Sequence, residues 1–141
     1  MTLYVESSAV MAWLLDEPGG WPAFDDMRTA DVVFTSELTM IECDRAILRH
    51  LALGRVDGDR AETLRVELAS VSSAWQIQPI VPAITQRARE PFPDDRIRSL
   101  DAIHLASALA ARSTFGDTAL LTLDDRVRAV GTALGFRVLP E

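Results

Sequence analysis

Four acidic residues stand where predicted strands meet predicted helices. Glu6 follows the strand-like stretch TLYV, and Asp124 follows TALLT and begins a helical pattern. Asp101 lies in the first turn of another predicted helix, and Glu42 lies about two turns into the long helix after VVFT. In an open parallel sheet, strand carboxyl ends and the starts of the following helices share one edge, where ligands bind. We therefore expect these four carboxylates to meet in space.

Carboxylates grouped without histidine or cysteine suit a hard cation such as Mg²⁺ or Mn²⁺, which prefers oxygen ligands and keeps waters. Each acid also has a purely structural explanation. Asp101 and Asp124 could serve as helix caps or dipole partners, and Glu42 could pair with Arg45 on the helix surface. Glu6 is harder to explain in this way, because an unpaired charge between two buried elements is costly. Their recurrence at matching junctions favours a shared site.

Other chemistries have weaker support. The sequence contains no GxxxxGK[ST] phosphate loop and no GxGxxG, so nucleotide binding of those kinds is not expected. A nucleophilic triad could be assembled from Ser7, His104 and an acid, but GxSxG is absent. His104 stands three residues after Asp101 and could face the same site, although a packed histidine with one hydrogen bond is the favoured interpretation. Cys43 is predicted to lie in the core.

The elements around these acids alternate between strand-like and helical patterns, which predicts an α/β fold with a largely parallel sheet. Ser7 or Ser8 is expected to cap the first helix and Ser36 the long one. Pro82 suits a first helical position, and PFPDD must be a loop. The predicted strands are TLYV, VVFT, WQIQPIV, TALLT and FRVL. Helices are predicted at about 7–16, 21–29, 37–53, 57–72, 82–90, 99–112 and 124–134.

Length and composition limit the possible functions. The chain has 141 residues, 48% of them hydrophobic, which predicts one domain over residues 1–141 with a substantial core. Its net charge of -7 argues against a broad basic surface for nucleic acid, but an acidic metal site would reverse the local field. A single cysteine permits no intrachain disulfide. We expect a cytoplasmic protein without a signal peptide or membrane span.

Several motifs resemble one known family in the right order along nearly the whole chain. LYVESSAVMAWLLDEPG resembles the opening of PIN-domain ribonucleases of the VapC toxin type, and TSELTMIECDRAI resembles their second motif. RSLDAIHLASAL and LLTLDDRVRAVGTALGFRVL resemble the third and the C-terminal motif. The resemblance implies a three-layer α/β/α sandwich with a central, mainly parallel sheet. It also implies divalent metal and RNA cleavage, by the toxin of a type II toxin–antitoxin pair.

The resemblance assigns roles to individual residues and implies partners. Ser7 and Thr122 match small hydroxyl positions that support the site, and Asp125 matches a position that is often acidic. Glu6 stands where the family nearly always has aspartate. The implied partners are an RNA substrate, a VapB-like antitoxin whose helix occupies a groove, and a second copy of the chain in a homodimer. The acids implied to be both catalytic and metal-binding, with Mg²⁺ or Mn²⁺, are Glu6, Glu42, Asp101 and Asp124.

Two other functions remain open from the sequence. The first is a PIN-fold binding module that keeps metal, RNA or antitoxin binding but is catalytically weakened, which Glu6 in place of aspartate favours. The second is structure-specific DNA cleavage, for which the chain lacks basic tracts. Arginines near the motifs could contact RNA phosphates or could simply be solvated; they are Arg96, Arg98, Arg126 and Arg128.

Overall fold

Five parallel strands form the centre of the computed structural model, which describes residues 1–141. The central strand pairs with one parallel strand on each side. Its Leu3 lies opposite Val33 in one neighbour and opposite Ala119 in the other. The order across the sheet is β3-β2-β1-β4-β5, and each neighbouring pair is parallel. The strands are β1 (Thr2–Val5), β2 (Val32–Ser36), β3 (Gln76–Gln78), β4 (Thr118–Leu121) and β5 (Val138–Leu139).

Helices connect the strands, as parallel pairing requires. None of them combines the length and apolar character needed to cross a bilayer. They are α1 (Ser7–Leu14), α2 (Gly20–Thr29), α3 (Glu37–Ala52), α4 (Gly58–Ser72), α5 (Pro82–Ala88), α6 (Ser99–Phe115) and α7 (Asp125–Ala133).

Side chains alternate across the sheet and divide the core into two clusters. In β1, Leu3 and Val5 pack against residues of α1 to α4, whereas Tyr4 packs on the opposite face against α6 and α7. This alternation follows from the two-residue period of a strand. Helices therefore cover both faces of a parallel sheet, which confirms the predicted three-layer α/β/α sandwich.

Most predicted elements are confirmed, and the differences have local causes. Ser36 caps α3 as predicted, accepting a hydrogen bond from the Leu38 backbone N–H at 3.1 Å. The predicted cap of α1 was wrong, because Glu6 occupies the cap position. The third strand is shorter than the stretch WQIQPIV, since Pro79 has no N–H to donate to a ladder. The sixth helix continues to Phe115, beyond its predicted end.

Candidate active site

Glu6 lies where β1 ends and α1 begins, at the carboxyl edge of the sheet. Its side chain accepts a hydrogen bond from the Ser8 backbone N–H at 3.1 Å, so the start of α1 is capped by a carboxylate. Its own backbone N–H donates to the Leu121 carbonyl at 2.9 Å, which joins this turn to β4. Only 5% of Glu6 is exposed. The local fold thus fixes a buried carboxylate at the edge where ligands bind.

Three hydroxyl groups donate hydrogen bonds to the Glu6 carboxylate. Ser7 Oγ donates to Glu6 Oε1 at 2.7 Å, and Thr122 Oγ1 donates to Oε2 at 2.8 Å. The Ser8 hydroxyl also donates to Oε2. These bonds offset the cost of burying the charge, because they replace hydrogen bonds that the carboxylate would otherwise make with water. The supporting positions that the sequence indicated, Ser7 and Thr122, therefore contact Glu6 directly.

Glu42 reaches the same point from α3. Its Oε1 lies 3.1 Å from Ser7 Oγ, the hydroxyl that also contacts Glu6. One hydroxyl has one proton, so Ser7 donates to only one of the two carboxylates at a time. The Glu42 side chain is 23% exposed, which leaves part of it open to solvent. Two acids that are 36 positions apart in the numbering are thus brought together, as expected from their junctions.

His104 lies against both glutamates and is buried. Its Nε2 is 2.6 Å from Glu42 Oε1 and 3.8 Å from Glu6 Oε1. Its Nδ1 is 3.1 Å from the Tyr4 hydroxyl. The sequence favoured a packed histidine that makes one hydrogen bond. In the structure, both ring nitrogens lie within hydrogen-bonding distance of a polar atom. His104, and not Arg45, is the partner of Glu42.

Asp101 and Asp124 lie at helix starts, as predicted. Asp101 Oδ2 accepts a hydrogen bond from the Arg98 backbone N–H at 3.0 Å and closes the first turn of α6. Asp124 Oδ1 accepts from the backbone N–H groups of Arg126 at 2.9 Å and Val127 at 3.1 Å, so it caps α7. These are the structural roles that the sequence left open beside the functional one.

A short chain of contacts connects Asp124 to Glu6. The Asp124 backbone N–H donates to Thr122 Oγ1 at 3.1 Å, and the same hydroxyl donates to Glu6. Thr122 is fully buried, so its position is fixed by packing. The cap of α7 and the cap of α1 therefore share one hydroxyl group.

The four acids have the right chemistry for a hard cation, although no three His, Cys, Asp or Glu side chains are gathered into a ready metal site. Their donor atoms are all carboxylate oxygens, which Mg²⁺ and Mn²⁺ prefer. One oxygen each of Glu42, Asp101 and Asp124 accepts no hydrogen bond from the protein, although that of Asp124 lies 3.9 Å from Arg126 Nη2. The donor set fits such an ion, and its assignment to all four acids stays a prediction.

The nearby arginines differ in their surroundings. Arg128 donates from Nη2 to the carbonyls of Thr122 at 3.0 Å and Pro140 at 2.9 Å, so it stabilises the fold beside the site. Arg96 pairs with Asp94 at 2.7 Å, and this hydrogen-bonded pair lowers the pKa of Asp94 to about 2. Both groups of that pair face solvent. Arg98 and Arg126 remain the arginines next to the acidic residues, and Asp125 is exposed in the first turn of α7.

A groove opens beside the acidic cluster. It has a volume of about 450 Å³ and lies between α1, the end of α3 and the turn before α7. Ser8 and Asp124 are among its lining residues. Arg49 and His50 line the same groove, so it also contains cationic and hydrogen-bonding groups.

Sequence reasoning missed the part played by Tyr4 and understated that of His104. The spacing of three residues between Asp101 and His104 was the available signal, because residues three apart share a helix face. No comparable signal indicated Tyr4, which reads only as a core residue of β1.

Known sequences match this chain over most of its length. The family described as PIN domain matches residues 3–133. Ribonuclease VapC35 of Mycobacterium tuberculosis is 33% identical over 137 residues, covering 96% of this chain and 84% of that protein. Ribonuclease VapC46 of the same organism is 30% identical over 141 residues, covering 97% and 95%.

Solved structures share the fold. VapC20 of Mycobacterium tuberculosis, described as a sarcin-ricin loop cleaving toxin, superposes with a TM-score of 0.67 at 18% identity and covers 99% of this chain and 100% of that one. A chain of VapBC2 from Rickettsia felis, bound to a DNA fragment from its promoter, gives a TM-score of 0.68 at 11% identity, covering 99% and 98%. At these identities the likeness supports the architecture.

Proposed function

Because this chain belongs to the PIN domain family, we propose that it is a divalent-metal-dependent ribonuclease and the toxin of a toxin–antitoxin pair. Two relatives named ribonucleases match it over nearly its whole length. The observation that carries the proposal is the meeting of Glu6 and Glu42 at one hydroxyl, Ser7, on the carboxyl edge of the sheet. Ser7 Oγ also lies 3.4 Å from His104 Nε2, but Nδ1 of that ring faces the Tyr4 hydroxyl and not an acid, so these side chains do not have the arrangement of a nucleophilic triad.

The proposed ion is Mg²⁺ or Mn²⁺, held by Glu6, Glu42, Asp101 and Asp124. When bound, such an ion activates water and stabilises the negative charge that develops on the phosphate and the leaving oxygen. The four acids act as ligands, and none is assigned as a proton-transfer base. Negative charge from four carboxylates would otherwise repel a phosphodiester, so the same residues explain why cleavage should need added metal.

The protein groups around the acids fix them and admit the substrate. Ser7, Ser8 and Thr122 hold the Glu6 carboxylate in one orientation, which reduces the rearrangement needed when metal and RNA arrive. Substrate would approach from the open side, where Glu42 and Asp124 are partly exposed. We propose that Arg98 and Arg126 contact the RNA phosphates on this side, since phosphate contacts position a nucleic acid without reading its sequence.

Cleavage of structured RNA tests this function. Wild-type protein is incubated with RNA and EDTA, and then with excess Mg²⁺ or Mn²⁺, alongside Asp101→Asn and Asp59→Asn. An asparagine side-chain oxygen can still accept the hydrogen bond from the Arg98 N–H, so Asp101→Asn removes charge with little effect on folding. Asp59 is a matched control, because it also lies in the first turn of a helix but is exposed on α4. Equal cleavage by all three proteins would identify a contaminating nuclease and refute the proposal.

A binding module with weakened catalysis is the second candidate. The observation that favours it is that both oxygens of Glu6 are already occupied by hydroxyl groups. Such a protein would bind Mn²⁺ or RNA without cleaving RNA. Calorimetry with Mn²⁺, run on the same preparation as the cleavage assay, separates the two candidates.

The proposed partners are an antitoxin, which we expect to bind this protein in the cytoplasm, and a second copy of this chain. Apolar side chains on α3 and just beyond it are exposed, including Ile41, Leu51 and Leu53. Their exposure supports this proposal, since apolar side chains at the surface are available to a partner. Light scattering tests the homodimer, which a monomer at micromolar concentration would contradict.

A further inference from the structure

His104 is a buried polar side chain that the proposed chemistry does not use. It lies in α6, one turn after Asp101, and is 1% exposed. Each of its ring nitrogens faces a polar atom from a distant part of the chain. On one side is Glu42 Oε1 at 2.6 Å, and on the other is the Tyr4 hydroxyl at 3.1 Å. A histidine whose two nitrogens are both engaged is held in one orientation.

The contact with Glu42 determines which ring nitrogen carries the proton, because a carboxylate oxygen only accepts hydrogen bonds. A short contact between Nε2 and this oxygen therefore requires a hydrogen on Nε2. On the other side of the ring, the buried Tyr4 hydroxyl lies 3.1 Å from Nδ1 and can donate to it. With Nδ1 accepting, a neutral imidazole carries its hydrogen on Nε2, which then donates to the carboxylate of Glu42.

We propose that His104 is a positioning residue that holds the Glu42 carboxylate beside Glu6 for metal binding, with the Tyr4 hydroxyl contacting its other ring nitrogen. This inference rests on the proposed function, because it concerns the same acids. The short Nε2 contact orients Glu42 Oε1 and leaves Oε2 free for an ion. Nε2 is also 3.8 Å from Glu6 Oε1, so one imidazole contacts Glu42 and lies close to Glu6.

In known metal sites, residues that hydrogen-bond a metal ligand without touching the ion fix the orientation of that ligand. Removing such a group costs about 10- to 100-fold in metal affinity. His104→Leu removes both polar contacts and should weaken Mn²⁺ binding by about that factor. His104→Gln can place an amide N–H near the position of Nε2 and should recover most of the affinity. Leu105→Met is the control for disturbance of α6, because Leu105 is fully buried next to His104.

The first measurement uses wild-type protein without metal, so it does not depend on a variant folding. The chain has only two histidines, so the ring signals that remain in a His50→Gln variant belong to His104. Nitrogen–proton correlation spectra distinguish protonated from bare ring nitrogens. A protonated Nε2 and a bare Nδ1 on His104 support the proposal. A bare Nε2 overturns it, because His104 would then donate no hydrogen bond to Glu42.

The second measurement is calorimetric titration with Mn²⁺ of wild type, His104→Leu, His104→Gln and Leu105→Met, each checked for folding by circular dichroism. Weaker binding by His104→Leu alone supports the proposal. Equal binding by wild type and His104→Leu overturns the role of His104 and leaves the ribonuclease proposal standing. Failure of wild type itself to bind Mn²⁺ overturns the metal site, and with it any positioning role toward metal.

Discussion

Replacing Thr122 with valine should destabilise the fold through the loss of one hydroxyl group. Thr122 is fully buried, and valine has nearly the same shape, so packing is largely kept. The lost group donates to Glu6 Oε2 at 2.8 Å and accepts from the Asp124 N–H at 3.1 Å. A hydrogen bond to a charged group contributes about 1.5–3 kcal/mol. Water can reach Asp124, which is partly exposed, so its N–H adds little.

We therefore expect Thr122→Val to lower the free energy of unfolding by about 2 kcal/mol. For a domain of this size, that corresponds to a fall in Tm of about 8 °C. Urea unfolding followed by circular dichroism measures the change, and the m value should be unaltered. Thr35→Val is the matched control, because Thr35 is also fully buried but donates to a neutral carbonyl, that of Val5, at 2.7 Å. Its expected cost is about 1 kcal/mol.

The charge of Glu6 is the reason for the larger effect, and a double-mutant cycle isolates it. In a Glu6→Gln background, Thr122→Val should cost about as much as Thr35→Val does in wild type. A loss below about 0.5 kcal/mol for Thr122→Val, or the same loss in both backgrounds, would refute the reasoning. The hydroxyl would then make no special contribution to holding the carboxylate.

Three further predictions concern the site and the core. Glu6→Gln should weaken Mn²⁺ binding measured by calorimetry, and unchanged binding would make Glu6 a bystander. Glu6→Asp withdraws the carboxylate by about 1.5 Å toward the position that the family usually has; it should bind Mn²⁺ at least as tightly as wild type and cleave RNA faster, and slower cleavage would contradict this. Burial raises the pKa of the Cys43 thiol, so thiol reagents should modify the folded protein far more slowly at pH 8 than the urea-unfolded chain, and equal rates would count against a buried thiol.

Hydrophobic patterning predicted an α/β fold with a largely parallel sheet, and the family resemblance implied its three layers. The stretch TLYV alternates between two cores, and the apolar runs between helical patterns are buried parallel strands. Local capping chemistry also located the start of α3 at Ser36. The same chemistry gave the wrong cap for α1, since serine is the commoner cap and the chain has two of them beside Glu6. The pairing of β1 with β4 brings Thr122 to the Glu6 carboxylate and helps to hold it at the cap position of α1. That pairing is not visible in the local sequence.

The four acids lie at or near the junctions that the sequence indicated, but a site shared by all four stays a prediction, and the sequence did not predict their hydrogen-bond partners. The junction rule indicated Glu6 and Glu42, which the structure brings to one hydroxyl. The contacts of His104 depend on how α6 packs across β1 and α3, because Tyr4 and Glu42 are 100 and 62 positions away. Such pairings arise from tertiary packing, and no local pattern encodes them.

The most direct test of the central claim is the single-turnover rate of RNA cleavage by Glu42→Gln in saturating Mn²⁺. Glutamine keeps the shape of Glu42 and removes its charge, and Glu62→Gln, on the exposed surface of α4, is the control. Loss of an outer supporting group costs about 10- to 100-fold, so loss of a ligand should cost at least about a hundredfold. Our account predicts that fall for Glu42→Gln and a wild-type rate for Glu62→Gln. A wild-type rate for Glu42→Gln would contradict the assignment of this acidic cluster as the active site.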